Sequence, residues 1–420
     1  MLGKITLGIR SPIFIILIIA ALILSYNLDK PFWGNHDWNG VYWGAVARNF
    51  ARYGPAFSGF GPFLNSGAVV PGNLGYNFHF TPVFPLVWAL FFKIFGYYDW
   101  VSRLMAIFFS LGAIFVFYRI LEKYINRFVA IAACVFWIST PMFIYFGKMP
   151  VHEIPLMLFV LSAFYFHFST RHVLSAICSI IAMLITWPGY FLAPVLTLFN
   201  RKYWILLPIG ILLFGLHLSH NFLVTGNFFG GGLREVFFQR VGGVDLIWYL
   251  KTITRWAWTY YFLLIPLSLA GFILRPNKVL LYFLLYALFY PIIFRDSASR
   301  HDYLLIYFFP FIAAAAASAI TLIRINEVKY LTTGLVIILM LYMRRDFIVA
   351  LQNSSLYKES VRVGWKLASI SKPSDKIIVN SLNPEVPFDN WFVSYYADRS
   401  VRVAYNQTEF PNISFVYTYR

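Results

Sequence analysis

Long apolar runs recur between residues 11 and 343, divided by short polar links, and this pattern limits the possible folds more than any other feature. About 20 apolar residues cross the hydrocarbon of a bilayer, somewhat fewer when flanking side chains snorkel. Runs of that order fall at 11–28, 103–119, 128–146, 153–169, 172–187, 188–199, 203–221, 254–274, 279–294, 302–322 and 328–343. Only 12% of the residues are charged, against about 25% in a soluble domain. The bilayer is then the main solvent, and the expected fold is an all-α polytopic membrane protein with about eleven transmembrane helices. Lys4 and Arg10 ahead of the run 11–23 resemble a signal peptide. No small-residue cleavage site precedes Asp29, so an uncleaved first helix is expected.

A net charge of +17 invites a nucleic-acid reading. The basic residues argue against it, because they stand in short clusters between apolar runs and form no single patch. The stretch 81–95 decides the topology. If it lies at the interface, the clusters Lys4/Arg10, Arg119/Lys123/Arg127, Arg171, Arg201/Lys202, Arg275/Lys278 and Arg324/Lys329 all face the cytoplasm. Counted as a crossing, it puts every later cluster outside. Of the 17 acidic residues, only Glu122 and Glu327 then fall on the cytoplasmic side. The expected layout is a multi-pass protein, N-terminus in and C-terminus out, in the cell membrane of a prokaryote. Its outer segments are 29–102, 222–253 and the tail 344–420.

The tail differs in kind. A helix at about 356–370 precedes β-prone runs at 376–380, 393–396, 401–405 and 414–418, so a small α/β extracytoplasmic unit is expected beside a transmembrane domain 1–343. The sequons at Asn353, Asn406 and Asn412 are compatible with an outside tail. Cys134 and Cys178 sit inside apolar runs and read as packing residues. The alanine run 313–317 reads as close helix packing.

Loops are where a membrane enzyme brings polar groups to a lipid-borne substrate. The first outer segment opens with Asn35-His36-Asp37-Trp38, continues as a helix-like stretch 39–53 with Tyr42, and closes with His79-Phe80-Thr81-Pro82. A carboxylate at Asp37 is placed either to take a proton from an acceptor hydroxyl or to cap the helix behind it. In the short link Lys148-Met149-Pro150-Val151-His152-Glu153, an acid beside apolar residues needs a partner. Glu153 either pairs with Lys148, or orients a substrate or a divalent cation together with His152. Arg300, in Arg295-Asp296-Ser297-Ala298-Ser299-Arg300-His301-Asp302, is placed to clamp a phosphate, or to snorkel or pair with Asp296 or Asp302. Gly230-Gly231-Gly232 is no phosphate loop, since no Gly-Lys-Ser/Thr follows. The abundant aromatics suit interface belts, and some suit the wall of a groove for a lipid chain.

Asp37, Tyr42, Ala47-Arg48-Asn49, His79-Phe80-Thr81-Pro82 with Pro85-Leu86, Arg103-Leu104, Arg300-His301-Asp302-Tyr303 and Tyr395-Tyr396-Ala397-Asp398-Arg399 occur in an order that resembles the GT-C glycosyltransferases. The nearest branch is glycosyltransferase family 39, with its protein O-mannosyltransferases and lipid A aminoarabinose transferases. The resemblance implies a GT-C fold with interfacial helices in the first outer loop. It implies inverting transfer of a monosaccharide from a polyprenyl-phosphate donor to an acceptor hydroxyl on protein, lipid or glycan. In this reading Asp37 is the general base, Glu153 a second catalytic carboxylate that orients the acceptor, and Arg300 and Lys148 hold the donor phosphate. His36, Tyr42, His79, His152 and His301 contact substrate. No cofactor is required, and a divalent metal at Glu153 and His152 is compatible with it. The family pattern carries Asp-Glu where this chain has Asp37-Trp38, and Asp where it has His152-Glu153.

A transporter or flippase is the competing class. It calls for mid-membrane ionisable groups and repeated halves, whereas the acids here collect at one face and no repeat stands out. A lipid-linked glycan ligase or polymerase is a third. The topology makes a first prediction: a periplasmic-type phosphatase fused after Arg420 is active, and the same fusion in the 119–127 loop is silent.

Overall fold

A computed structural model describes residues 11–69, 72–381, 389–404 and 415–419. Lys4, Arg10, the sequons at Asn406 and Asn412, and the strand ends at 405 and 414 lie outside the described residues. The protein is a bundle of helices with a small parallel sheet at the C-terminal end.

Among the described residues, three helices are long and apolar enough to cross a membrane: Asp99–Tyr124, Arg201–Thr225 and Asp302–Ile320. Several other apolar helices are shorter. Two expected spans are interrupted. The run 128–146 divides into Arg127–Ile138 and Pro141–Phe146, because Thr140 caps a second helix that Pro141 opens. The run 254–274 is not straight: Leu246–Tyr261 and Leu264–Leu274 meet at 96°. Phe262 there adopts φ +38°, and Pro266 fits only near the start of the new helix. The alanine run packs as its composition suggests. A Cβ on Gly271 would stand 1.8 Å from the Ala315 carbonyl, so the two backbones touch.

The stretch 81–95 forms the helix Val83–Phe95, of 13 residues. That is about 20 Å of helix, short of the roughly 30 Å core of a bilayer. It packs beside Trp38–Tyr53, the helix of the first long loop.

The tail holds strands β1 (Lys376–Ser381), β2 (Ser400–Ala404) and β3 (Phe415–Tyr419) in the order β2-β1-β3, all parallel. The expected strand at 393–396 is instead the helix Asn390–Ala397. Joining β1 to a parallel neighbour requires a crossover, and Asp389 starts that helix by accepting from the Trp391 amide. Its two faces bury different things. Val393 and Ala397 pack on the sheet with Val363, Leu367, Ile377 and Val379. Phe392 and Tyr395 pack on Phe32, Val41 and Ala45 of the first loop. The helix Asn326–Asn353 runs unbroken from the last apolar run into the tail.

Loop and tail are also joined by charge. Arg48 Nη2 lies 3.2 Å and Arg52 Nη2 lies 2.8 Å from the Asp398 carboxylate, and Arg48 donates to the Tyr395 carbonyl at 2.9 Å. Burial raises the Asp398 carboxyl, but Arg48 and Arg52 outweigh it and hold the group below the usual carboxylate range. The stabilisation is thus present above about pH 4 and lost as pH falls below it. Asp398→Asn, which tolerates the left-handed φ of +50°, is expected to cost about 1–2 kcal/mol near pH 7, less than a fully buried pair. Thermal unfolding in detergent at pH 7 and pH 3 checks this; the wild-type advantage should shrink at the lower pH.

Candidate functional site

Segments distant in the chain close on one polar cavity of about 480 Å³. Each arrives there for a local reason. His36 stands at φ +57°, reversing the chain before the helix Trp38–Tyr53 carries Trp38, Asn39 and Tyr42 along the wall. His79 and Phe80 enter from the end of the first loop, and His152 and Glu153 from the head of the helix Glu153–Phe168. Arg240 comes from the helix Leu233–Val241, Asp296, Arg300 and His301 from the segment before the helix Asp302–Ile320, and Tyr303 from its first turn. Trp391 comes from the tail.

Glu153, Arg300, His36, Tyr42, His79, His152 and His301 therefore share one cavity, as the sequence suggests. Asp37 and Lys148 do not line it. Asp37 begins the helix Trp38–Tyr53 without capping it. Its Oδ2 accepts from the Trp33 amide at 3.0 Å and the Gly34 amide at 2.6 Å, and lies 4.0 Å from Arg103 Nη2. A Cβ on Gly34 would stand 3.0 Å from that oxygen and 2.9 Å from the Tyr145 hydroxyl, so only glycine allows the approach. Lys148 donates to the Tyr26 carbonyl and, at 3.2 Å, to Gln352 Oε1. Among the described residues it makes no ion pair with Glu153, because its ammonium is turned to Tyr26 and Gln352, in a small pocket shared with Asp37 and Arg103. Burial, with Arg103 close by, lowers it to about 7.

Within the cavity, burial lowers three of the imidazoles. His79 and His152 fall well below the usual value through desolvation and then Arg240. His301 falls to about 4 through desolvation, His36 and Arg240. All three are neutral at pH 7, and the fixed positive charges are the guanidiniums of Arg240 and Arg300. Arg300 Nε holds Asp296 at 3.0 Å with most of its side chain open. Arg240 lies over the Phe80 ring at 5.4 Å and donates to the Tyr290 hydroxyl at 3.3 Å. In the sequence Arg240 carries little signal, as one basic residue in the segment 222–253. Among the described residues no three His, Cys, Asp or Glu side chains gather as a metal site. His152 packs among Trp43, Phe80 and Phe84, which leaves Glu153 without a matching set of donors.

A second cavity, of about 390 Å³, adjoins the first. Its wall is almost wholly apolar, with Trp187, Tyr190, Leu207, Ile211, Phe214 and Phe237 among its residues. Adjacent residues divide between the two: Phe80 faces the polar cavity and Thr81 the apolar one, and Arg240 and Phe237 divide likewise on one helix. Trp187 Nε1 donates to the His79 carbonyl at 2.9 Å across the boundary.

A family model described as dolichyl-phosphate-mannose-protein mannosyltransferase matches residues 79–174. The fold is similar to that of ArnT from Cupriavidus metallidurans bound to undecaprenyl phosphate, with a TM-score of 0.65 and 12% identity, over 93% of this chain and 85% of that one. The apo state of ArnT gives a TM-score of 0.61 at 14% identity, over 93% and 85% of the two chains. The oligosaccharyltransferase of Archaeoglobus fulgidus, tethered with an acceptor peptide, gives 0.53 at 12% identity, over 94% of this chain and 64% of that one. No curated protein sequence is similar enough to count as a match.

The anchoring of Asp37 sets a prediction for stability. Asp37→Ala strands two amides and leaves Arg103 and Lys148 without their anion, so a loss of about 2–3 kcal/mol is expected, with Asp37→Asn losing less. Thermal unfolding of the three proteins in one detergent gives the order.

Proposed function

We propose, from the premise that this chain is a membrane glycosyltransferase of the GT-C fold, that it moves one sugar from a polyprenyl phosphate to an acceptor hydroxyl. The observation that supports this most is the pair of adjoining cavities, one polar and one apolar, suited to the head group and the first isoprene units of a single amphipathic donor. The lipid lies against Trp187, Phe214 and Phe237. The phosphate meets Arg240 and Arg300, whose charge develops its full effect in a partly dry site. Glu153, in the same cavity near Tyr303 and Tyr307, orients the sugar. The acceptor oxygen attacks the anomeric carbon from the face away from phosphate, and polyprenyl phosphate departs with the bonding electrons. Phosphate is a good leaving group, so the step requires no strong acid.

In this reading Asp37 is a positioning residue that fixes the loop carrying His36 and Tyr42, and Lys148 stays outside the phosphate cradle. The chain needs no cofactor. The site faces the extracytoplasmic side of a prokaryotic cell membrane, a placement supported by the basic clusters on the opposite links. A lipid-borne donor and a membrane-embedded enzyme belong together physically, since the donor cannot leave the bilayer. The test uses undecaprenyl-phosphate mannose labelled in the sugar, the full chain in nanodiscs, and membranes of the source strain lacking the gene as acceptor. Transfer is expected to persist in excess EDTA and to fall about 10²–10³-fold in Arg240→Ala. Full activity of Arg240→Ala would reject the cradle.

A further inference from the structure

His36 and Asp302 form an arrangement that the reading above does not use. His36 Nε2 lies 2.8 Å from Asp302 Oδ1, a buried oxygen with no other polar partner among the described residues. The other carboxylate oxygen of Asp302 accepts from the Tyr260 hydroxyl. The imidazole is held on several sides, with Tyr303 at 5.1 Å, Phe146 at 5.8 Å and His301 at 6.3 Å between ring centroids. Its backbone is fixed as well: φ is +57°, and the His36 carbonyl accepts from Asn39 Nδ2 at 3.2 Å. A non-glycine residue in that region of φ costs of order 1 kcal/mol and persists where the surroundings determine it. Here the strain aims the ring so that one edge meets Asp302 and the ring forms part of the cavity wall.

We propose that His36 is the group that takes the proton of the acceptor hydroxyl, with Asp302 as the positioning residue behind it. The inference rests on the glycosyl-transfer reading. Asp302 fixes the tautomer with the proton on Nε2, which leaves the Nδ1 lone pair as the acceptor. As the acceptor oxygen forms its bond to the anomeric carbon, its proton passes to Nδ1. The bond from that carbon to the phosphate oxygen breaks, with its electron pair going to the departing polyprenyl phosphate. The imidazolium formed is paired with the Asp302 carboxylate until water removes the proton. His79, His152 and His301 are poor bases, because burial and Arg240 disfavour their charged forms. The charged and titratable groups that face His36 are His301, Asp302 and Tyr303 at the head of the helix Asp302–Ile320, with Tyr260 behind Asp302. Arg240, Arg300, Glu153 and Asp296 line the same cavity.

The experiment follows transfer from undecaprenyl-phosphate mannose by the full chain in nanodiscs across pH, with binding of undecaprenyl phosphate measured in parallel. His36→Gln keeps a donor toward Asp302 but cannot accept a proton; it is expected to lose about 10²–10⁴-fold in turnover while binding the lipid within about threefold of wild type. Wild-type turnover should fall on the acid side. Asp302→Asn should lower turnover and move that acid limb to lower pH, because the imidazolium loses its anion. Wild-type turnover in His36→Gln, or an acid limb unmoved in Asp302→Asn, overturns the proposal while leaving glycosyl transfer intact. Absence of transfer by the wild type removes the glycosyl-transfer reading, and this one with it. Should His36→Gln fail to fold, the Asp302→Asn limb decides.

Discussion

The site depends on one buried guanidinium. Arg103, in the first turns of the helix Asp99–Tyr124, donates to the carbonyls of Leu28 and Lys30, lies over the Phe32 ring at 4.4 Å and stands 4.0 Å from Asp37. Those contacts collect the chain just after it leaves the first helix. Uncapped carbonyls there need donors, and a planar guanidinium supplies several in a fixed fork. Asp37 completes the arrangement by binding the amides of Trp33 and Gly34. The next residues, His36 and the helix Trp38–Tyr53, then have a defined origin from which to reach the cavity.

From that origin the first loop carries weight in two directions. One side of the helix Trp38–Tyr53 lines the polar cavity through Trp38, Asn39, Tyr42 and Trp43. Another meets the tail through Val41, Ala45 and Arg48. The tail answers with a helix whose two faces serve the sheet and the loop, and with Trp391, which stands 5.0 Å from Tyr42 at the cavity. The small sheet thus acts as a buttress for one wall of the polar cavity. Its own apolar cluster is modest, consistent with a unit that gains stability by packing on a neighbour.

Much of this was legible in the chain, and the exceptions have physical causes. Apolar periodicity identifies helices because the bilayer admits little else, but it is blind to a 96° bend at Phe262, which changes direction without changing composition. The run 393–396 reads as a strand because Val393, Tyr395 and Tyr396 favour strands, while the crossover between parallel neighbours demands a helix. Residue type and position brought Glu153, Arg300 and several histidines to one cavity. The same reasoning placed Lys148 beside them, since a link of a few residues does not reveal which way a long side chain turns. Arg240 and the contact between His36 and Asp302 were beyond reach, because their partners are separated by long stretches of chain.

The sequence by itself determined that this protein is helical, lives in a membrane and gathers its polar chemistry in the links between apolar runs. Those properties follow from hydrophobicity, which is local and additive along the chain. Only the tertiary structure decided which polar groups face the cavity and which brace it. It turned Asp37 toward backbone amides, set His36 against Asp302, and put Arg240 on the border between a polar and an apolar space. Such choices depend on direction and distance between remote segments. They are settled by packing and by the need of each buried donor and acceptor for a partner.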